Sequence, residues 1–247
     1  MMKTDFLGTN GWYDSAAGNT TCALVETARE YVVLDAGFGI HKLDAYVKPG
    51  KPVYIFISHP HIDHICGLHV LGKFRFRQGV KIFVSREMVS PLKKFAAPPY
   101  SAPLSRLGMK AGIADFAALK RLAPHMSVYS LRHSIACYGL RIEDGGKILA
   151  YAPDTGLCPN AYKLADKADA LIAECSYHPG ERRADWPHLN PEDGAFLAKK
   201  CGVKKFYMTH FEARRYPDLS SRRGAQRAAR KIFRNSFAAR DGVSFSV

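Results

Sequence analysis

The sequence predicts an α/β protein that folds as one domain over residues 1–247. Short segments rich in β-branched and aromatic residues recur along the chain, with helical patterns between and after them. A chain of this length can bury a sizeable core. Its 47% hydrophobic and 23% charged residues are typical of globular proteins, which excludes the disordered and fibrous classes.

Ten segments have the composition of β-strands. They are residues 22–27, 31–35, 53–58, 80–85, 128–132, 138–143, 147–151, 170–175, 205–209 and 243–247. Asp144, Gly145 and Gly146 lie between two of these segments and indicate a hairpin turn.

Five further segments are predicted to be helical: residues 40–47, 64–72, 113–122, 191–200 and 221–233. The fourth has the clearest signals, with Asn190 as N-cap, Pro191 at the first position and Gly202 after the end. Residues 85–109 contain four prolines, so we expect either a long loop at the rim of the site or a meandering connection.

The apolar pattern and the cysteines favour a cytoplasmic protein without a membrane partner. No apolar stretch reaches the roughly 18 residues that a membrane span requires. The first residues lack the apolar core of a signal peptide. Six scattered cysteines without a C-x-x-C pair favour reduced thiols over a disulfide framework.

The charge is unusual, because 36 Lys and Arg residues oppose 22 Asp and Glu residues and give a net charge of +14. Such an excess attracts anions, so nucleic acid is one expected partner, and a basic solvated surface is the alternative. Arg223, Arg227, Arg230, Lys231 and Arg234 have the spacing of one helical face. Both a monomer and a homodimer are compatible with the sequence.

The strongest chemical signal is the run His59-Pro60-His61-Ile62-Asp63-His64, directly after the apolar segment 53–58. Alternation at a strand end points His59 and His61 the same way, and Pro60 keeps this part extended. Asp63 and His64 follow on the turn into the next helix. Four metal-capable side chains within six residues predict a site for zinc, iron or manganese rather than a polar loop.

This block resembles the H-x-H-x-D-H motif of the metallo-β-lactamase-fold hydrolases, and the resemblance extends across nearly the whole chain. Residues 7–9 and 34–37 are similar to the opening strands of that family. Three later segments of the chain also resemble blocks of that family. They are His133 with residues 138–142, residues 151–156 around Asp154, and residues 209–211 around His210. The resemblance implies a four-layer αββα sandwich, in which two mixed β-sheets face each other with helices outside.

The resemblance also implies two divalent metal ions, with zinc expected first and manganese or iron as alternatives. His59, His61 and His133 would hold one ion. Asp63, His64 and His210 would hold the other, and Asp154 would bridge the two. His133, Asp154 and His210 each follow a predicted strand, where sites of α/β proteins assemble. Separately, each of the three has a competing role as a core, capping or turn residue.

The residues after His133 do not match the run of the glyoxalase and lactonase branches, and the true β-lactamases place cysteine where this chain has Asp154. Residues 188–195 resemble instead the extra histidine block of the branch that holds ribonuclease Z and PhnP-like phosphodiesterases. His188 could protonate a leaving oxygen, or it could pack on the following helix. Only 33 residues separate Asp154 from His188, too few for the tRNA-gripping arm of ribonuclease Z.

The function predicted from the sequence is a binuclear metal-dependent phosphodiesterase, with a metal-bridging hydroxide that attacks a small or nucleotide phosphodiester. Asp63 and His188 are the predicted catalytic residues. Two alternatives stay open: hydrolysis of another ester, such as a sulfate ester, lactone or thioester, or nucleic-acid binding with a structural metal site. Asp35 is similar to an acid that orients a ligand histidine in this family, and its alternative role is in a turn.

Overall fold

The computed structural model describes all 247 residues. Its strands are β1 (Lys3–Gly8), β2 (Asn10–Gly11), β3 (Cys22–Glu26), β4 (Tyr31–Leu34), β5 (Val53–Phe56), β6 (Val80–Val84), β7 (Ala111–Asp115), β8 (Met126–Leu131), β9 (Cys137–Asp144), β10 (Lys147–Ala152), β11 (Ala170–Glu174), β12 (Lys205–Thr209), β13 (Phe211–Glu212), β14 (Ser236–Ala238) and β15 (Ser244–Ser246). The α-helices are α1 (Ile62–Ile65), α2 (Val89–Phe95), α3 (Phe116–Leu122), α4 (Pro159–Ala165), α5 (Pro191–Lys200) and α6 (Leu219–Arg230).

The strands form two mixed sheets and one small parallel ribbon of β2 and β13. The first sheet has the order β15-β1-β3-β4-β5-β6-β7, with β4 to β7 parallel and the remaining pairs antiparallel. The second has the order β14-β12-β11-β10-β9-β8, in which β10, β11, β12 and β14 are parallel. The predicted hairpin is confirmed: β9 and β10 pair antiparallel, and Gly145 and Gly146 have φ of 56° and 71°.

Three apolar clusters establish four layers. In β5, Tyr54 and Phe56 pack between the two sheets, whereas Val53 and Ile55 face the outer layer of the first sheet. This division follows from the two-residue period of a strand. A third cluster covers the outer face of the second sheet with residues of α4, α5 and α6. The predicted four-layer αββα sandwich of two mixed sheets is therefore confirmed.

The outer layer of the first sheet differs from the prediction in its helix type. The predicted helices 40–47 and 64–72 are largely 3-10 turns, at Phe38–Ala45 and Cys66–Lys73, with α1 before the second. The N-cap residue of neither 3-10 segment accepts a hydrogen bond with its side chain, and both segments contain glycine, which disfavours an α-helix. Helix α5 is confirmed, because the Asn190 side chain accepts a hydrogen bond from the Asp193 N–H at 2.7 Å.

The predicted helix 113–122 is wrong in its first part. Ile113 to Asp115 belong to strand β7, which pairs in parallel with β6. A short apolar run does not distinguish strand from helix by its period, and here pairing at the sheet edge decides. Asp115 then caps α3 by accepting a hydrogen bond from the Ala118 N–H at 2.9 Å.

Of the two alternatives for residues 85–109, the structure shows the meandering connection and not a loop at the rim of the site. They contain α2 and two 3-10 turns, Arg86–Met88 and Leu104–Arg106. Leu92 is buried in the outer cluster of the first sheet, and Leu104 and Leu107 pack against that cluster. No helix of the structure is long and apolar enough to cross a membrane.

Candidate metal centre

The histidine block lies where the first sheet meets the second. Strand β5 ends at Phe56, and the chain stays extended through His61, whose φ and ψ are −59° and 145°. Asp63 and His64 then lie on the single turn of α1, and the rings of His59 and His61 are 4.6 Å apart between centroids. The sequence therefore places two histidines before the turn and two ligand candidates on it.

The remaining predicted ligands come from the second sheet. His133 follows β8, Asp154 follows β10, and His210 directly follows β12. Strand β8 is antiparallel to β9, which is antiparallel to β10, so β8, β10 and β12 all end at the same edge. Parallel carboxyl ends are where α/β sites form, and this edge abuts the end of β5.

Seven predicted ligands meet there in two groups. The first ligand group consists of the potential ligand atoms of His59, His61, His133 and Asp154. The second ligand group consists of those of Asp63, His64 and His210. Within each group the atoms lie within 4.8 Å of one another. His59 Nε2 is 3.0 Å from His61 Nδ1, which is 3.3 Å from His133 Nε2.

Asp154 lies between the groups. Its Oδ1 is 3.2 Å from Nε2 of both His64 and His210, and its Oδ2 is 3.8 Å from His59 Nε2 and 3.7 Å from His133 Nε2. Although Oδ1 is buried, it has no hydrogen-bond partner. One carboxylate oxygen thus faces each group, the arrangement that a bridging ligand requires.

Buried side chains fix the ligand histidines from behind. His64 Nδ1 is 2.8 Å from Asp35 Oδ2, and His210 Nδ1 is 3.1 Å from Ser176 Oγ. These contacts occupy Nδ1 and leave the Nε2 atoms of His64 and His210 facing each other within the same group, 3.0 Å apart. Such contacts set the tautomer and ring orientation of a histidine, and Asp35 makes the contact with a predicted ligand histidine that the family resemblance suggested.

The electrostatics differ between the two groups of predicted ligands. Burial, and next the neighbouring imidazole of His64, hold the pKa of His59 well below its usual range. Burial likewise lowers the pKa values of His61 and His133, so these imidazoles are neutral at pH 7. Burial opposes ionisation of Asp63, but the charges of His64 and His210 prevail and lower the pKa of its carboxyl. Burial also opposes protonation of His64 and His210, but the charge of Asp154 outweighs it and raises the pKa values of both. Because metal ligands are deprotonated, an ion bound by these two rings would displace their protons.

A loop before β3 closes the second group from another side. Gly11 packs so tightly on His210 that an added Cβ would lie 2.5 Å from the ring. The Trp12 N–H donates to Asp63 Oδ2 at 2.6 Å. Buried Arg222 donates to the side chains of Thr9 and Asn10, which fixes this loop from the α6 side.

His188 lies beside the ligands and is held by an acid that the sequence reasoning missed. Its Nδ1 is 2.6 Å from Glu174 Oε1 and 3.9 Å from Asp154 Oδ2. Burial opposes protonation of His188, but Glu174 and then Asp154 outweigh it and raise the pKa to about 9. Glu174 is fully buried at the end of β11. In the sequence, Glu174 could have been identified as a candidate because it is an acid at the end of an apolar strand.

A cavity of about 620 Å³ opens over the two groups, which is ample for a small organic ligand. Both predicted catalytic residues, Asp63 and His188, line it. The other lining residues include aromatic and charged side chains at the rim: Trp12, Tyr177, Arg183, Asp185, Trp186, Glu212, Arg214 and Arg215. No residue of 85–109 lines the cavity.

Comparison with known families agrees with this geometry. Residues 30–211 match the family model described as a β-lactamase superfamily domain. The chain belongs to this superfamily. It is 26% identical to the probable metallo-hydrolase YhfI of Bacillus subtilis over 216 residues, which cover 85% of this chain and 86% of the relative. It is also 26% identical to ribonuclease Z of Lactiplantibacillus plantarum, with 97% of this chain and 96% of the relative covered.

Solved structures show the same fold. The crystal structure of YhfI superposes with a TM-score of 0.79 at 19% identity and full coverage of both chains. A diphosphatase of the PhnP family gives a TM-score of 0.71 at 16% identity, with 100% of this chain and 98% of the other covered.

The donor set fits two divalent ions: imidazole nitrogens and carboxylate oxygens lie in two convergent groups, and between them lies a buried Asp154 oxygen that makes no hydrogen bond. Together with the superfamily, these groups identify a metal-dependent hydrolase with a histidine-rich site.

Proposed function

We propose that this metal-dependent hydrolase is a phosphodiesterase acting on a small or nucleotide phosphodiester. The observation that carries the proposal is the His188–Glu174 pair beside Asp154. A protonated imidazole at this position, next to the ligand groups, suits the departure of an alkoxide from phosphorus. Two relatives, ribonuclease Z and the PhnP-family diphosphatase, are named for the cleavage of RNA and of a diphosphate, which supports the same reaction class.

The two groups would hold zinc in the first instance, with manganese or iron as alternatives. Bound there, divalent ions supply Lewis acidity and an activated water. Asp154 would hold both ions, since each of its oxygens faces one group. Asp35 and Ser176 keep the rings of His64 and His210 in place.

His188 would transfer a proton to the leaving oxygen. Glu174 occupies its Nδ1, so Nε2 is the nitrogen available to a ligand in the cavity. As the P–O bond breaks, the Nε2 proton passes to the leaving oxygen and the imidazole becomes neutral. The position of His188 thus determines which end of the substrate departs.

The rim would attract the anionic substrate. The side chain of Arg214 is 68% exposed, and it lies 3.5 Å from Glu212. Arg215 is held by Glu181 and Glu212, and Arg183 by Asp185, so these two arginines are largely neutralised. Arg214 is therefore the rim cation best placed for a phosphate oxygen.

The test of the reaction class is initial-rate hydrolysis of bis(p-nitrophenyl) phosphate and of p-nitrophenyl sulfate by one preparation. The protein is stripped of metal, then reloaded separately with zinc, manganese and iron. Metal-dependent turnover of the phosphodiester with little turnover of the sulfate is expected. Preference for the sulfate would move the protein to another class of ester.

The test of His188 uses His188→Gln and Glu174→Gln. General-acid catalysis contributes about 100- to 10,000-fold, and a nitrophenolate leaves without a proton. The loss of kcat in His188→Gln should therefore be much larger for an alkyl leaving group than for nitrophenolate. Equal losses on both leaving groups would contradict the role.

The pH dependence tests the same pair. Glu174 raises the pKa of His188, so the protonated acid is present below that pKa and is lost as the pH rises through it. The alkaline limb of the rate profile should therefore move to lower pH in Glu174→Gln. An unmoved limb would exclude His188 as the titrating acid.

A second candidate function is nucleic-acid binding by the basic face of α6. This face consists of Arg223, Arg227 and Arg230, all exposed, and Arg234 lies exposed beyond the helix. If it binds RNA or DNA, affinity should fall steeply with salt and should not depend on bound metal. Binding that vanishes on metal removal would place the nucleic acid in the cavity instead.

A further inference from the structure

Both tryptophans of the chain stand at the mouth of the cavity. Trp12 and Trp186 are the only two tryptophans, and both line the cavity. Their exposed fractions are 59% and 45%, high values for the largest apolar side chain. Ile62, also exposed, adds a third apolar side chain to this mouth. Exposed apolar surface beside a polar site indicates a contact with a ligand.

The conformation of Trp12 is unfavourable for its residue type. Its φ is 74°, in the left-handed region that bulky residues rarely adopt. The backbone is held there by the hydrogen bond from the Trp12 N–H to Asp63 Oδ2, at 2.6 Å. Thus a predicted metal ligand fixes the base of an exposed indole. Strain of this kind concentrates at functional sites.

Trp186 is held by a residue nine positions earlier in the chain. Its carbonyl accepts a hydrogen bond from the Tyr177 hydroxyl. The indole is nearly parallel to the His61 ring, at 13° with centroids 6.4 Å apart, and its centroid is 6.0 Å from that of His133. This indole therefore lies directly beside the first ligand group and has a surface left open to the cavity.

We infer that Trp12 and Trp186 are specificity-determining residues that stack on the base of a nucleotide substrate. The inference rests on the proposed phosphodiesterase function. An indole offers a flat apolar face, so its natural occupant is a planar ring. Under the proposed function, the predicted ligand groups and Arg214 bind a phosphate in the same cavity. A nucleotide is the ligand class that joins a phosphate to a planar ring.

Arg214 lies near both the proposed base position and the proposed phosphate position. Its guanidinium lies 5.6 Å from the centroid of the Trp12 ring, within the range of a cation–π contact. The same residue is the rim cation best placed for a phosphate oxygen. A base on Trp12 would thus lie beside the group that binds its phosphate. The cavity, at about 620 Å³, has room for a nucleotide.

The test measures binding without turnover. Adenosine 5′-monophosphate and ribose 5-phosphate carry the same phosphate, and only the first has a base. Their dissociation constants are measured by calorimetry on the metal-loaded protein. Stacking on aromatic side chains should strengthen adenosine 5′-monophosphate binding about 5- to 150-fold over ribose 5-phosphate. Because the chain has no other tryptophan, quenching of its tryptophan fluorescence places the base at this mouth.

Substitutions assign the effect to each indole. Trp12→Ala and Trp186→Ala should each reduce the preference for adenosine 5′-monophosphate, and the Phe variants should restore part of it. Tyr100→Ala is the matched control, because Tyr100 is 71% exposed and does not line the cavity. It should leave the preference unchanged.

Two results would overturn the inference: equal affinity for both phosphates, or a preference that survives both Ala substitutions. Failure of the phosphodiesterase proposal gives a different result. In that case bis(p-nitrophenyl) phosphate is not hydrolysed, while the preference for adenosine 5′-monophosphate and its loss in the Ala variants persist.

Discussion

Replacing Asp35 with Asn tests how the fold orients the second ligand group. The carboxylate is fully buried and accepts four hydrogen bonds. Oδ1 accepts from the Ser58 N–H at 2.7 Å, and Oδ2 from the Ser58 hydroxyl at 2.8 Å and the Tyr151 hydroxyl at 2.6 Å. Oδ2 also lies 2.8 Å from His64 Nδ1. Asn has the same shape and tolerates the φ of 57° at this position, so the substitution removes the charge with little strain.

An amide has one oxygen for these four donors. If its nitrogen faces the Ser58 N–H, one charge-assisted bond is lost and two donors oppose each other, at a cost of about 1.5–3 kcal/mol. In a chain of this size that cost lowers the Tm of the metal-free protein by about 3–12 °C. The bond to His64 Nδ1 also weakens, which typically reduces metal affinity about 10- to 100-fold.

The assay measures bound metal by mass spectrometry, affinity by competition with a chromogenic chelator, and Tm by calorimetry. Asp35→Asn should lose the ion of the His64 group first and retain the ion of the His59 group. Tyr151→Phe is the control, because it removes one bond and keeps the charge. Unchanged Tm and unchanged affinity at both sites in Asp35→Asn would refute the reasoning.

Two further predictions concern the same edge of the sheets, and a third concerns the basic face of α6. Gly11→Ala should reduce activity about 100-fold, because the new Cβ displaces the His210 ring, whereas Gly112→Ala, which meets open space, should have no effect on activity. Asp154→Asn should lower the metal content below two ions and abolish activity; full retention of both would exclude a bridging role. Replacing the three arginines of the basic face of α6 with Ala should reduce the salt slope of any nucleic-acid affinity by up to about 3 and leave bis(p-nitrophenyl) phosphate hydrolysis unchanged. An unchanged slope would exclude that face as the binding surface.

The local pattern of residues predicted most of the elements. Alternation along β5, the glycines between β9 and β10, and the Asn190 cap of α5 are determined by neighbours a few residues apart. Where local signals were weak, the prediction was wrong, as at residues 113–115, which pair with β6 instead of starting a helix. That pairing depends on residues 31 positions earlier in the chain, which a local sequence pattern does not include.

The ligand candidates were visible in the sequence because metal chemistry restricts the residue types, and the run from His59 to His64 is compact. The side chains around them were only partly visible, since the resemblance suggested Asp35 and His188 but not Glu174. Glu174 and His188 meet from separate segments, and Trp12 and Trp186 share a cavity although 173 residues lie between them.

The sequence by itself therefore determined the elements and the set of candidate ligands, because both depend on residue type and short spacing. Only the tertiary structure decided that Glu174 holds His188 and that both tryptophans face one cavity. It also placed Asp154, which the family resemblance implied as a bridge, between the two groups. These contacts arise where the ends of β5, β8, β10 and β12 converge, and packing of the two sheets sets that convergence.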